Sequence, residues 1–347
     1  MFIEDGTRNA SQDAHDGLKR SGGSVRHCAG ERFIGNLRNS WQMKCSRVFL
    51  RSAVLLVVGW VVATSAIGIV AVEMAMHPGR RRLPPQASDL ARRIAARNQG
   101  SVADVSVIAA DGATLRAWEI QPRQGQGNGD AAILLHGQSD NRLGMLGYGD
   151  LLLRHGYAVL LPDARAHGDS GGELATYGVK EADDVRRWFH WVNKTNAPRC
   201  IYGLGESMGA AQVLESLRVE PGFCAVVAEC PFASFREASY DRLGEELGTG
   251  EWVGRTLLRP AVEGGFLYAR WRYGVDFEEA SPEEAVAASR VPVLLIHGLK
   301  DTNLPPRNSE QIVTASGLRK PAVELWEPTE AEHTGAAAAE PLEFERR

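Results

Sequence analysis

What this 347-residue chain lacks narrows its function before any motif is read. Metal-ligand spacing is missing: no H-E-x-x-H run or comparable cluster occurs, so no metal is required, and nothing calls for a cofactor. An excess of one charge is missing too. Lys and Arg number 39 against 43 Asp and Glu, a formal net charge of -4, which gives no reason to expect nucleic acid as the main partner. No internal repeat is visible, which excludes a solenoid. Cysteine is sparse and odd in number: Cys28, Cys45, Cys200, Cys224 and Cys230. They indicate no disulfide framework, and Cys200, Cys224 and Cys230 read as buried free thiols in core strands. What remains is ordinary globular composition, 44% hydrophobic and 24% charged, enough for a sizeable core in one large or two modest domains.

Charge is absent altogether from residues 53–72, AVLLVVGWVVATSAIGIVAV. Twenty helical residues reach about 30 Å, the thickness of a bilayer's hydrocarbon core. A core helix of that length would keep a polar face, and this run has none. A cleavable signal would be shorter and end at small residues, whereas this run ends in Glu73-Met-Ala-Met-His-Pro. Residues 52–73 therefore read as an uncleaved, single-pass transmembrane anchor in the cell membrane. Residues 1–51 are polar, basic and without period, the pattern of a disordered arm, although Met43-Lys44 offers a second start. Arg38, Lys44, Arg47 and Arg51 precede the run and Arg80, Arg81 and Arg82 follow it. That small excess points to a cytoplasmic N-terminus, with the folded part outside.

Residues 74–100 read as a linker with a short basic helix, and residues 101–347 as one α/β domain. Residues 102–108 and 113–120 predict a hairpin around Asp111-Gly112. Short apolar strands at 131–135, 157–161, 201–204, 225–228, 292–296 and 323–326 then alternate with helical stretches. Continuous apolar strands in that rhythm predict a mainly parallel sheet covered by helices on both faces. Residues 233–290 break the rhythm with a helical insertion rich in aromatics, expected as a cap over a site at the strand ends; the alternative is a long crossover whose aromatics fill the core.

The chemistry centres on Gly205-Glu-Ser207-Met-Gly209, which joins an apolar strand to a small-residue helix. This is the G-x-S-x-G turn in the setting it requires, with glycines where strand and helix must pass closely. Ser207 stands at a helix N-terminus, where free amides favour negative charge. Its partners should follow other strands. Asp301 does so in Ile296-His-Gly-Leu-Lys-Asp301, and His333 in Glu330-Ala-Glu-His333. Ser207, Asp301 and His333 run in the order nucleophile, acid, base. The backbone N–H groups of Gln138, after Leu135-His-Gly, and of Met208 are the candidate oxyanion hole. His136, His167 and His297 read as loop braces.

With these residues in view, the chain resembles the α/β-hydrolase superfamily, and most nearly its bacterial membrane-anchored members of serine-aminopeptidase-like or lysophospholipase-like type. The resemblance is carried by His-Gly-Gln-Ser-Asp-Asn141, Pro-Asp-Ala-Arg-Ala-His-Gly168, Tyr177-Gly-Val-Lys-Glu181 with Asp184 and Trp188, Gly-Glu-Ser-Met-Gly209, Glu229-Cys-Pro-Phe232 and Ile-His-Gly-Leu-Lys-Asp301. It extends from His77 to His333, and His-Pro-Gly-Arg-Arg81 shares it. It implies an eight-stranded, mainly parallel sheet and serine hydrolysis without a cofactor. Such proteins continue past the histidine into a closing helix. Here only residues 334–347 follow, so a short or truncated last helix and a looser His333 loop are expected. The reading is a serine hydrolase acting on a small-molecule acyl ester or lipid-like substrate. Aminopeptidase-type cleavage and a non-catalytic, membrane-anchored binding protein on the same fold are the alternatives. Oligomeric state is not legible.

Overall fold

The computed structural model describes residues 29–317 and 319–347, with side chains from residue 46 onward. Residues 1–28 of the expected arm lie outside the described residues. The chain divides into two compact units, Met1–Gly59 and Trp60–Arg347. In the first, helix α1 (Ala29–Met76) begins well before the apolar run. Residues 29–51, expected as part of a disordered arm, are helical instead. They contain no proline, and a helix already nucleated by the apolar run extends into its flank at little cost. Ser46–Met76 holds a stretch long and apolar enough to cross a membrane.

The second unit is built on one eight-stranded sheet. Its strands are β1 (Ser101–Ile108), β2 (Thr114–Gln121), β3 (Ala131–Leu135), β4 (Ala158–Pro162), β5 (Ile201–Glu206), β6 (Ala225–Glu229), β7 (Val293–Ile296) and β8 (Glu324–Trp326). Their order is β1-β2-β4-β3-β5-β6-β7-β8. The β1–β2 hairpin joins β4 antiparallel, and every other pairing is parallel. The central strands β3 and β4 are buried along their whole length, as their unbroken apolar spelling requires. Side chains alternate between two cores. Ile133 and Leu135 meet Val185, Trp188, Val213 and Leu214 on one face, while Leu134 meets Met145, Leu153 and Leu161 on the other.

Helices α2 (Ala87–Arg97), α3 (Leu146–Arg154), α4 (Glu181–Asn196) and α5 (Met208–Ser216) cover the sheet. In α4, Val185, Trp188, Phe189 and Val192 form the buried stripe, and Glu181, Asp183 and Asp184 sit in the first turn where the dipole favours them. Residues 233–290 form α6 (Phe235–Glu246), α7 (Glu251–Arg255), α8 (Arg259–Tyr273) and α9 (Pro282–Ala288). Helix α10 (Arg307–Ser316) and two short helices, α11 (Ala336–Ala339) and α12 (Pro341–Arg346), complete the chain. Phe344 on α12 is buried with Trp326 and Tyr148, so the short end does close over the sheet edge.

Two further readings need correction. The stretch at 74–100, read as a linker with a short basic helix, does hold that helix as α2, but it packs on the domain: Met76 is fully buried, and Ala87, Ala91, Ile94 and Ala95 pack beside Trp118 and Ile120. Cys200 and Cys224, read as free thiols, form a disulfide with their Cα atoms 5.7 Å apart. They precede β5 and β6, which pair side by side only once the sheet is assembled. Cys230 is a buried free thiol.

Candidate active site

Strand β5 delivers Ser207 at the sheet's carboxyl end. Its backbone has φ 52° and ψ -116°, a left-handed-region conformation that non-glycine residues seldom adopt. The Ser207 N–H donates to the Glu229 carbonyl at 2.8 Å, which fixes the turn to β6. A Cβ on Gly205 would lie 2.2 Å from the Gly209 oxygen, and one on Gly209 would lie 2.2 Å from the Leu135 oxygen. Both positions therefore exclude any other residue.

The structure brings the three nominated side chains together. His333, in the loop after β8, holds Nε2 2.9 Å from Ser207 Oγ and Nδ1 2.7 Å from Asp301 Oδ2. Asp301 is buried, and its other oxygen accepts from the amides of Asn303 and Leu304 at 2.8 and 2.9 Å. Burial raises its pKa, but hydrogen bonds from His297 and His333, the charge of His333 and the Leu304 amide outweigh burial and hold the carboxyl well below the usual range. An ionised carboxylate only accepts, so Nδ1 carries the imidazole proton and Nε2 faces the serine hydroxyl as acceptor.

The β3 exit loop closes the other side. Gly137 runs beside the serine, where an added Cβ would stand 3.5 Å from Ser207 Cβ. The amides of Gln138 and Met208 enter no backbone hydrogen bond outside the helices and strands, and Met208 opens α5, whose first N–H groups have no helical partner. His136 braces this loop: it accepts from the Ala164 amide at 3.0 Å and contacts the Gly137 carbonyl through Nδ1 at 2.7 Å. Burial, then the nearby His167, pushes its pKa down to about 3, so it stays neutral. His167 Nδ1 contacts the Arg165 carbonyl, and His297 lies between Ser309 and the Leu304 carbonyl. Cys230, His297 and Asp301 are close enough for one ion. Their atoms are already engaged, however: the Cys230 sulfur accepts from Thr334, and burial pushes its thiol pKa up, away from the thiolate a metal needs.

Two features had no signal in the sequence. Next to Ser207, half-buried Glu206 is paired across the sheet with buried Glu229, which accepts from the Tyr148 hydroxyl at 3.1 Å. Burial, then the charges of Glu229 and Asp140, pushes Glu206 up to about 7. Above the serine, the Gln138 side chain donates to Tyr177 Oη at 2.8 Å, and that hydroxyl donates to the Ala75 carbonyl at 2.9 Å. The last turn of α1 is thereby tied to the candidate oxyanion loop. Tyr177 also stacks on Phe235 in an apolar cluster that holds Met208, Phe232, Tyr240, Phe266 and Phe277 with Val72 and Met76 of α1. The aromatics of residues 233–290 thus divide: most fill this cluster, while Trp252 and Trp271 face out.

With sheet, serine turn and histidine loop placed, the chain can be set beside known proteins. The sequence profile of the alpha/beta hydrolase family matches residues 132–345. The chain belongs to that family and has its fold. Over 209 residues it is 32% identical to the uncharacterized protein YqkD of Bacillus subtilis, covering 59% of this chain and 65% of that one. It thus spans just under two thirds of that relative's length. The uncharacterized protein YfhR of Escherichia coli K12 is 25% identical over 220 residues, 61% of this chain and 67% of that one. Among solved structures, esterase Pf2001 of Pyrococcus furiosus superposes with a TM-score of 0.61 at 24% identity, covering 79% of this chain and 95% of that one. An acylaminoacyl peptidase of Pyrococcus horikoshii gives 0.53 at 15% identity, covering 72% and 40%. At such identities the likeness is one of fold.

Proposed function

We propose that this protein is a membrane-anchored serine hydrolase that cleaves an ester-like acyl bond through an acyl-enzyme. The observation that carries the reading is the His333 imidazole, poised 2.9 Å from Ser207 Oγ and 2.7 Å from buried Asp301. Ser207 Oγ attacks the substrate carbonyl carbon as its proton passes to His333 Nε2. Negative charge on the carbonyl oxygen meets the amides of Gln138 and Met208, each such donor contributing about 3 kcal/mol. Collapse of the tetrahedral intermediate breaks the ester C–O bond, and the departing oxygen takes the proton from Nε2. Water then attacks the acyl-serine, gives its proton to Nε2, and a second collapse returns that proton to Ser207 while freeing the acid. Asp301 stays ionised throughout and stabilises the imidazolium.

An acyl or lipid-like substrate is favoured by the apolar cluster that runs from Met208 to Phe266 and Phe277. The Cys200–Cys224 disulfide supports placing this unit on the oxidising, extracytoplasmic side. Labelling by a fluorophosphonate probe tests the nucleophile: Ser207→Ala should abolish it, and undiminished labelling would move the nucleophile elsewhere. Turnover of p-nitrophenyl esters against aminoacyl anilides tests the bond. Preference for anilides would replace the ester reading with the aminopeptidase one.

A further inference from the structure

Helix α1 and the cap meet along α8, and the pattern of contacts fixes their relative direction. Ser65 Oγ lies 3.3 Å from the Pro260 carbonyl; Gly68 faces Ala261 and Gly265; Val72 faces Gly265; and Glu73 accepts from Tyr268 and Tyr273. Partner numbers rise together, so the helices run parallel, and the first turns of α8 lie level with residues 65–73. The approach is as close as backbones allow. A Cβ on Gly68 would stand 1.7 Å from the Ala261 oxygen, and one on Gly264 would stand 2.6 Å from Ser65 Oγ. Small residues at such a seam are how helices pack inside membranes.

Helix length then decides depth. Crossing the hydrocarbon core takes about 20 helical residues. From Ser52 to Thr64 there are 13 uncharged residues before the α8 contact begins at Ser65, about 20 Å of helix. The remaining third must come from residues 65–72, which already carry α8 at their side. We infer that the outer flank of α8, together with Leu257 and Trp252 just before it, is seated in the acyl region of the adjoining bilayer leaflet. This rests on the reading of α1 as a membrane anchor.

The side chains of α8 are sorted accordingly. Phe266 and Ala269 turn into the cluster beside Met208. Leu267 and Trp271, four residues apart on one face, are 69% and 81% exposed, and Leu257 and Trp252 are 51% and 70% exposed. The charged groups beside this flank are paired: Glu263 accepts from Tyr240 and meets Arg236 at 3.3 Å, while Glu251 and Arg255, next to Trp252, meet Arg307 at 2.8 Å and Glu237 at 2.7 Å. Arg270, paired with Asp276 at 3.1 Å, and Arg272, over the Tyr273 ring at 5.0 Å, belong to the last turn, level with the end of the uncharged run. Tyr268, Trp271 and Tyr273 are the aromatic residues expected at headgroup depth. Arg259, at the deeper end, lies over the ring of Tyr240 with its centroid 5.2 Å away. One face of α8 therefore meets lipid while another walls the cluster next to Ser207, so an ester dissolved in the leaflet reaches the cap without crossing water.

The test uses the full chain in phosphatidylcholine vesicles. Trp271→Phe isolates one tryptophan of eight by difference. That emission should be quenched by lipids brominated near the headgroup end of the acyl chain. The double variant Leu267→Ser, Trp271→Ser should lower hydrolysis of a vesicle-borne long-chain ester about tenfold, and of a soluble short-chain ester less than about twofold. A chain that resists alkaline extraction yet shows no Trp271 quenching and no change in that ratio overturns the seat alone. Release by alkaline extraction overturns the anchor reading and the seat with it. Quenching without turnover of either ester overturns the hydrolase reading and leaves the seat supported.

Discussion

The serine turn and the α1–α8 seam use one steric device at two ranges. At the turn, Gly205 and Gly209 let a strand pass the helix that immediately follows it. At the seam, Gly68 and Gly265 bring together two helices whose contacts join residues far apart in sequence, Ser65 and Pro260 standing 195 apart. The turn holds a residue at positive φ and is kept in place by its neighbours: the Glu229 carbonyl, the Gly137 loop and the Glu206–Glu229 pair. The seam is ordinary helix on both sides and carries no such strain. Local geometry therefore holds a strained serine at the turn, while the seam determines what α8 rests on.

Removing the α1 side of the seam should have the largest effect. Deleting residues 1–59 leaves the Trp60–Arg347 unit whole. Deleting residues 1–76 also removes Val72 and Met76 from the aromatic cluster, the Ala75 acceptor and the partner of two tyrosines. Thermal unfolding in detergent should show the longer deletion less stable by about 4 kcal/mol or more. Equal melting temperatures for the two would reduce the seam to a tether.

The turn can be probed through the half-buried carboxyl of Glu206. Glu206, with a pKa raised to about 7, favours the folded state while protonated. That contribution is fully present below the ordinary glutamate range and is lost as pH rises through about 7. Glu206→Gln removes the titration. Between pH 5 and 8 the wild type should lose of order 2 kcal/mol relative to the variant. Parallel pH–stability curves for the two proteins would refute the assignment.

The smallest effect is expected where turn and seam are joined. Tyr177→Phe deletes the bridge between Gln138 and Ala75 while keeping the stack on Phe235. It should cost about 1 kcal/mol of stability. It should also lower kcat several-fold, because the loop carrying the Gln138 amide loses its brace. An unchanged kcat with the same stability loss would make the bridge structural only.

Legibility followed range. The parallel character of the sheet and its strand boundaries were largely readable, because a parallel sheet buried on both faces writes each strand as an apolar run and alternates it with helices; the order of the strands came only with the structure. Ser207, Asp301 and His333 were nominated by their places after strands, and the structure sets them within hydrogen-bonding distance. The Cys200–Cys224 bond was misread, since neighbouring strand starts become neighbours only in the assembled sheet. The helical character of residues 29–51 was missed because basic composition says nothing against helix once an adjacent apolar helix exists.

By itself, the sequence determined the things that depend on neighbouring residues: an α/β alternation, a turn that only glycine permits around Ser207, and a helix without charge. Tertiary structure alone decided what the end of that helix touches, that Tyr177 links it to the serine's loop, and that Glu206 and Glu229 are paired next to the serine. Those contacts depend on burial and on closeness between residues far apart in sequence, which leave no periodicity or spacing for a reader to find.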